Sequence, residues 1–269
     1  MVILEEVGKV LSYGEICDHC LGRFFGRRSH GLTNCERGAA LRVAWHLAQD
    51  LPFRPQGGDC WICGETFSRV AEWADRVAAA VDGIEFGRFV IGTRVPPLTA
   101  ESEEVVGSDL SLQHAEPFKS EMNREVGKAV ANLTGKTADP HDPELVAILN
   151  LPEDRVEVQI NPVFFSGRYR KLERGIPQTH WDCRACRGKG CERCNFTGKQ
   201  YQDSVEELIG RPVVRFLHAE KAVLHGSGRE DIDARMIGSG RPFVMEVVAP
   251  RRRSIDLSLL QEAINRDAA

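Results

Sequence analysis

No apolar run in this sequence approaches the ~20 residues a helix needs to cross a bilayer, so a helical membrane span is not expected. No signal peptide opens it, which places the expected site of action in the cytoplasm, where thiols stay reduced. Internal repeats and low-complexity tracts are also missing. Nor is there an excess of positive charge. The 35 Lys and Arg against 39 Asp and Glu leave a net −4, which argues against a uniformly basic nucleic-acid binder.

What is present is the composition of a soluble globular protein. Of 269 residues, 42% are hydrophobic and 28% charged, enough for one large domain or two smaller ones. The charge is unevenly spread. Residues 167–199 carry nine Lys/Arg against three acids, and residues 21–44 carry five Arg (Arg23, Arg27, Arg28, Arg37, Arg42) against Glu36. Local basic patches on an acidic body suit phosphate contact at chosen places, and solvated faces are the plainer alternative.

The nine cysteines fall in the same segments. Cys17/Cys20, Cys60/Cys63, Cys183/Cys186 and Cys191/Cys194 are four CxxC pairs, and Cys35 stands alone as a small apolar residue. A CxxC turn aims two thiolates at one point, and two such turns complete a tetrahedral site. The spacing therefore predicts zinc held by Cys17, Cys20, Cys60 and Cys63, and a second zinc in a local knuckle of Cys183, Cys186, Cys191 and Cys194. The flanks needed for an iron–sulfur cluster are missing. One copy of a chaperone-type CxxCxGxG phrase occurs where such chaperones carry several, so a zinc chaperone is a weak alternative.

Helices and strands interleave over the first 165 residues, an α/β (α+β) pattern. Thr33 or Asn34 caps one helix and Thr66 a second that carries Phe67, Val70, Ala74, Val77 and Val81 on one face. Residues 86–95 read as a strand. Phe118, Met122, Val126, Val130 and Leu133 recur at helical spacing before Gly135. Val156–Ile160 alternates as a strand. Residues 166–203 form a basic, cysteine-rich bridge. Ser204-Val-Glu-Glu207 is a capping-box signature. Two strand-like runs, 232–237 and 241–248, flank Gly238-Ser-Gly240 and suggest a hairpin, and a helix follows over 254–265.

The segment Gly228-Arg229-Glu230-Asp231 sets a carboxylate on a turn at the mouth of a strand. Reactive side chains are commonly displayed on such turns. Asp233 shares its face if the strand is regular, and a carboxylate pair can do acid–base work, bind a hard metal or simply shape the turn.

At this point the sequence resembles the archaeal tRNA pseudouridine-54/55 synthases, the tenth class of pseudouridine synthases. The resemblance is carried by the segments 17–23, 30–34 and 119–127, then by Gly167-Arg-Tyr-Arg-Lys-Leu172 and Arg174-Gly-Ile-Pro-Gln178. Residues 204–208, 228–233 and 240–243 continue it in family order. It implies a zinc-containing THUMP-like RNA-binding domain over 1–165 and a basic linker with its knuckle over 166–203. The first part of a synthase domain with a mixed or antiparallel sheet would occupy 204–269. It also implies that Asp231 is the nucleophile, flanked by Arg229, which would keep it ionised. Isomerising uridine in the T arm of tRNA (positions 54/55) needs that carboxylate and no organic cofactor. For RNA contact the expected residues are Arg168, Tyr169, Arg170, Lys171 and Arg174, with Tyr169 stacked on a base, and Asn123, Arg124 and Lys128 along one helix. Family members continue past the position matching Ala269. A truncated synthase, half of a split enzyme completed by a separate chain, or a non-catalytic zinc-dependent tRNA-binding module are the alternatives. The partner expected throughout is tRNA, with no membrane.

Overall fold

The computed structural model describes residues 2–56 and 59–268. The chain divides into two compact units, Met1–Asp82 with Arg88–Val158, and Gly83–Gly87 with Gln159–Ala269. Both mix helix and strand, as the sequence pattern suggests. No helix among the described residues is long and apolar enough to cross a membrane.

The first unit begins with helices α1 (Val2–Leu11), α2 (Asp18–Arg23) and α3 (Asn34–Ala48). Thr33 caps α3 in a full capping box with Glu36. Helices α2 and α3 approach so closely that only glycine fits at two positions. A Cβ on Gly22 would lie 1.8 Å from the Asn34 carbonyl oxygen, and one on Gly38 would lie 1.9 Å from that of Asp18. Thr66 does not cap the next helix. It opens a 3₁₀ turn, Thr66–Arg69, that leads into α4 (Val70–Ala80), and its hydroxyl bonds back to the Cys63 carbonyl.

Beyond α4 lie strand β1 (Arg88–Arg94), α5 (Pro97–Asp109), α6 (Phe118–Thr134), β2 (Thr137–Ala138), β3 (Leu145–Asn150) and β4 (Arg155–Ile160). They form a sheet in the order β2-β1-β3-β4, with β1 parallel to both neighbours. Alternate residues of β1 and β3 are buried on one face, where α6 packs. Phe118, Met122, Val126 and Val130 of α6 fill the core as their spacing predicts, but Leu133 is exposed. Gly135 ends α6 at φ 68°, the left-handed cap.

The second unit holds β5 (Val163–Lys171), α7 (Val205–Leu217), β6 (Lys221–Gly226), β7 (Met236–Val248) and α8 (Leu257–Asp267). Ser204 caps α7 by accepting from the Glu207 amide. The expected hairpin around Gly238-Ser-Gly240 is not there. Residues 236–248 are one long strand at the centre of an antiparallel sheet, β5-β7-β6. The two glycines, at φ 70° and 75°, make a bulge instead: between the pairs Tyr169–Arg241 and Lys171–Met236 one residue on β5 faces four on β7. Arg168 holds that bulge through the carbonyls of Ser239 and Gly240, each at 2.8 Å.

Because β5 joins this sheet, the unit's core is larger than a hairpin and two helices would allow. Tyr169, Val205, Ile209, Val213, Leu217, Phe243, Met245, Val247 and Leu260 pack together in it. Strand β5 and the cysteine knuckle, set apart in sequence as part of a bridge, lie in the same compact unit as α7.

Candidate functional site

Each expected set of cysteines converges. In the first unit Cys17, Cys20, Cys60 and Cys63 are all buried, and their sulfurs lie within 4.8 Å of one another. In the second, Cys183, Cys186, Cys191 and Cys194 do the same, with only Cys183 fully buried. Sulfur–sulfur distances of 3.6 Å (Cys17–Cys63), 3.8 Å (Cys186–Cys194) and 3.7 Å (Cys191–Cys194) match the edges of a tetrathiolate tetrahedron. For metal–sulfur bonds of about 2.3 Å those edges are about 3.8 Å. Backbone N–H groups point at the sulfurs: Cys17 to Cys60, Cys20 to Cys17, Gly190 to Cys186, Cys191 to Cys194. Burial pushes the Cys194 thiol up, but the amides of Cys191 and Gly198 and its sulfur neighbours outweigh that and bring it to about 6. The pull is not uniform: burial holds the Cys186 thiol up at about 11 and pushes the Cys20 thiol up as well, protons that a metal ion would have to displace. Both groups could hold a metal ion. Cys35 is half-buried and outside both.

The Gly228–Asp231 segment is a turn, not the start of a regular strand, so Asp231 and Asp233 are not paired by strand periodicity. Asp231 is exposed while its neighbour Glu230 is buried, 8% accessible. Glu230 accepts hydrogen bonds from the Tyr169 hydroxyl at 2.9 and 2.8 Å and from Arg241 Nε at 2.8 Å. Arg241 Nη1 also donates to the Ser227 carbonyl, and Gln178 Nε2 donates to the Gly228 carbonyl and to the Tyr169 oxygen. Gly228 sits at φ 80°, and a Cβ there would meet Arg241 Nη1 at 2.8 Å. Lys171 Nζ, on a side chain only 4% exposed, donates to the carbonyls of Ile176, Asp231 and Ile232 at 3.0, 3.2 and 3.1 Å.

Several expected roles change here. Tyr169 cannot stack on a base, because it is buried with its hydroxyl on Glu230, and burial raises its pKa to about 12. Lys171 cannot reach a phosphate, because its ammonium is spent on three carbonyls. Arg168 is engaged with the bulge. Arg229 lies over the Trp181 ring, 5.2 Å from its centroid, and among the described residues it makes no ion pair with Asp231. In the first unit, Asn123 accepts from the Thr93 hydroxyl, Arg124 pairs with Glu116 and Glu125, and Lys128 pairs with Glu125. That helix face is neutralised internally. In the basic stretch 21–44, Arg27 is exposed and Arg28 pairs with Glu6 at 3.6 Å, but the other three arginines turn inward. Arg23, Arg37 and Arg42 are buried on Glu103, Asn34 and Asp18. By contrast, Arg170, Arg174, Arg184, Arg187, Lys189 and Arg193 are exposed and make no ion pair among the described residues. Beside them Phe196 is 74% exposed on the knuckle, at φ 59°.

Sequence reasoning passed over Glu230, Gln178 and Arg241. The signal was the phrase Arg-Glu-Asp itself, which puts a second carboxylate beside the one that draws attention. Without the sheet register nothing tells which of the two is inside.

Two mixed α/β units, each carrying a four-cysteine group, are what the fold defines, and known proteins place the chain further. Residues 73–150 match the family described as "Pus10 THUMP domain, archaeal", and residues 164–269 match "Pus10, C-terminal". The chain is 47% identical over 290 residues to "tRNA pseudouridine synthase Pus10" of Methanothrix thermoacetophila, covering 98% of this chain and 64% of that protein. It is 44% identical over 274 residues to the protein of the same name from Halorubrum lacusprofundi, with the same coverages. The one from Methanothermobacter marburgensis is 46% identical over 273 residues, covering 100% of this chain and 66% of the relative. The chain belongs to the archaeal Pus10 family. It spans about two-thirds, 64–66%, of the length of these relatives. Since the C-terminal family match runs over 164–269 and the relatives align across this chain, neither a mere first part of that domain nor a separate chain supplying the rest finds support here.

Proposed function

We propose that this chain binds tRNA and isomerises a uridine of its T arm, at position 54 or 55, to pseudouridine, with Asp231 as the reactive carboxylate. The reaction breaks the bond from uridine N1 to the ribose C1′ and makes one from C5 to C1′. The C5 proton is lost and N1 gains one, so atoms and charge balance without a redox or organic cofactor. A duplexed base is out of reach, so the target must be flipped to the carboxylate. The observation that carries the reading is Asp231 itself, exposed on a turn anchored by a buried polar network within the segment that matches the family's C-terminal description.

Zinc is the proposed occupant of both four-cysteine groups. All-sulfur tetrahedral donors at these spacings suit it, and free thiols in such numbers suit a reducing cytoplasm. RNA contact falls to the unpaired cations. Arg170 lies on the outer face of β5 and Arg174 just beyond it, and Arg184, Arg187, Lys189 and Arg193 lie on the knuckle, where Phe196 offers a ring for an unstacked base. In this reading the knuckle replaces Tyr169 as the aromatic contact.

A single-turnover assay tests the whole. The chain in excess over an unmodified tRNA transcript is probed for pseudouridine by carbodiimide-stop primer extension, with Asp231→Ala in parallel. T-arm pseudouridine that disappears in the variant supports the reading. Salt-dependent tRNA binding without any pseudouridine makes the chain a binding module instead.

A further inference from the structure

The turn from Ser227 to Ile232 is held at nearly every residue, by side chains that are buried or, for Arg241, half-buried. Arg241 takes the carbonyl of 227, Gln178 that of 228, and Lys171 those of 231 and 232, while the Glu230 carboxylate is gripped by Tyr169 and Arg241. The Gly175 amide adds a bond to the Ile232 carbonyl at 2.9 Å, and the Ala234 amide closes the turn on the Asp231 carbonyl at 3.0 Å. The side chains of Ser227, Arg229 and Asp231 are exposed on it, while that of Glu230 is buried.

Two of these anchors are costly in a way that plain folding does not require. Lys171 buries an ammonium with three carbonyls and no carboxylate among the described residues, and a buried charge without a counter-charge is unfavourable. Glu230 and Arg241 form an ion pair whose side chains are 3% and 17% exposed, a pairing that apolar residues often replace without loss of stability. Charged donors, however, make stronger and more directional hydrogen bonds than neutral ones, which is what holding a short turn in one conformation demands.

We propose that Lys171 and Glu230 are positioning residues for Asp231. From β5, Lys171 fixes the backbone on which the Asp231 side chain stands. Glu230, locked by Tyr169 and Arg241, fixes the preceding residue, so that the exposed carboxylate meets a flipped uridine in a single geometry. Neither side chain touches RNA. The proposal rests on Asp231 being the reactive group.

The test compares Lys171→Met, Glu230→Gln and the milder Tyr169→Phe with the unaltered full chain and with Asp231→Asn. Four quantities are read: single-turnover rate at saturating tRNA, tRNA affinity, melting temperature, and amide hydrogen exchange of the 226–236 segment. The expected result for Lys171→Met and Glu230→Gln is a rate lower by about a hundredfold, the scale of a small misplacement of a reacting group. Affinity for tRNA stays as it was, and exchange quickens in residues 228–234 while β5 and β7 remain protected. Tyr169→Phe, which removes one hydroxyl, gives a smaller loss of the same kind. The proposal is overturned if the turn exchanges as slowly as in the parent. It is equally overturned if a loosened turn leaves the rate intact, or if the rate falls only with melting temperature or tRNA affinity. If Asp231→Asn retains the full rate, or the parent makes no pseudouridine, the functional assignment of Asp231 fails instead, and the exchange measurement still decides whether Lys171 and Glu230 hold the turn.

Discussion

Replacing Gly22 with alanine sets two opposed effects against each other at the crossing of α2 and α3. On helix propensity alone the change stabilises a helix by about 1 kcal/mol. The packing says the reverse. The new Cβ would sit 1.8 Å from the Asn34 carbonyl oxygen and 2.7 Å from both its carbon and the Gly38 nitrogen. All three are backbone atoms, so no rotamer can relieve the contact and the helices must part. Overpacking of this kind costs about 1–3 kcal/mol, and rigid backbone puts it at the upper end. Because α2 carries Cys20, parting also pulls one sulfur from the buried four-cysteine group. The control is Gly107→Ala in α5, where a Cβ has nothing within 4 Å and only the propensity gain remains. The expected result in urea is a midpoint about 1 M lower for Gly22→Ala, taking a net loss of about 2 kcal/mol and an m-value of about 2 kcal/mol/M. Gly107→Ala is expected to leave the midpoint unchanged or raise it. Metal content measured by mass spectrometry should fall in the first variant only. Two midpoints that rise together would refute the packing argument.

Other outcomes follow from the same geometry. The purified chain should carry two zinc ions, one for each four-cysteine group, with Cys60→Ser and Cys186→Ser each losing one by elemental analysis. Arg187→Glu with Arg193→Glu should weaken tRNA binding and lower its salt slope by about one for each phosphate contact removed, whereas Lys128→Glu should do little, its charge being already paired with Glu125. Loss of zinc from the arginine variants instead would mean that the cations serve the cluster. Stability should also fall in acid through Glu85. The Ser254 hydroxyl and the amides of Arg253 and Ser254 hold its carboxyl below the ordinary range. A lowered native pKa contributes stability that is present above the unfolded value of about 4.3 and is lost as pH falls through the native one, so Glu85→Gln should flatten that limb of a pH-melting curve.

What the sequence made legible were features with short-range causes. The helix caps at Thr33 and Ser204, the apolar stripe of α6 and both cysteine groups are each set by residues a few positions apart or by one dominant chemistry. What it hid depended on register across strands. Gly238 and Gly240 read as a turn because the local signal of paired glycines is the same for a hairpin and for a bulge. Only the pairing of β7 with both β5 and β6 makes it a bulge. Tyr169 and Lys171 read as RNA contacts because they stand in a basic run with Arg168 and Arg170, yet alternation along β5 turns 169 and 171 inward and 168 and 170 outward. The helix α5 escaped notice because its run of Glu and Ser has almost no apolar stripe.

The two cysteine groups illustrate how similar motifs can be put to different ends. Cys17, Cys20, Cys60 and Cys63 are all buried, and the nearby arginines Arg23 and Arg42 are turned inward onto Glu103 and Asp18. A metal there would join the α2 segment to a loop some forty residues on. Around Cys183, Cys186, Cys191 and Cys194 three of the four cysteines are half-exposed, and every intervening arginine and lysine points to solvent without an acid to neutralise it. Four thiolates on a divalent ion carry two negative charges, so a knuckle meant only to be folded would gain by drawing those cations in. They stay out, with Phe196 among them, which is the arrangement expected of a surface that meets a polyanion.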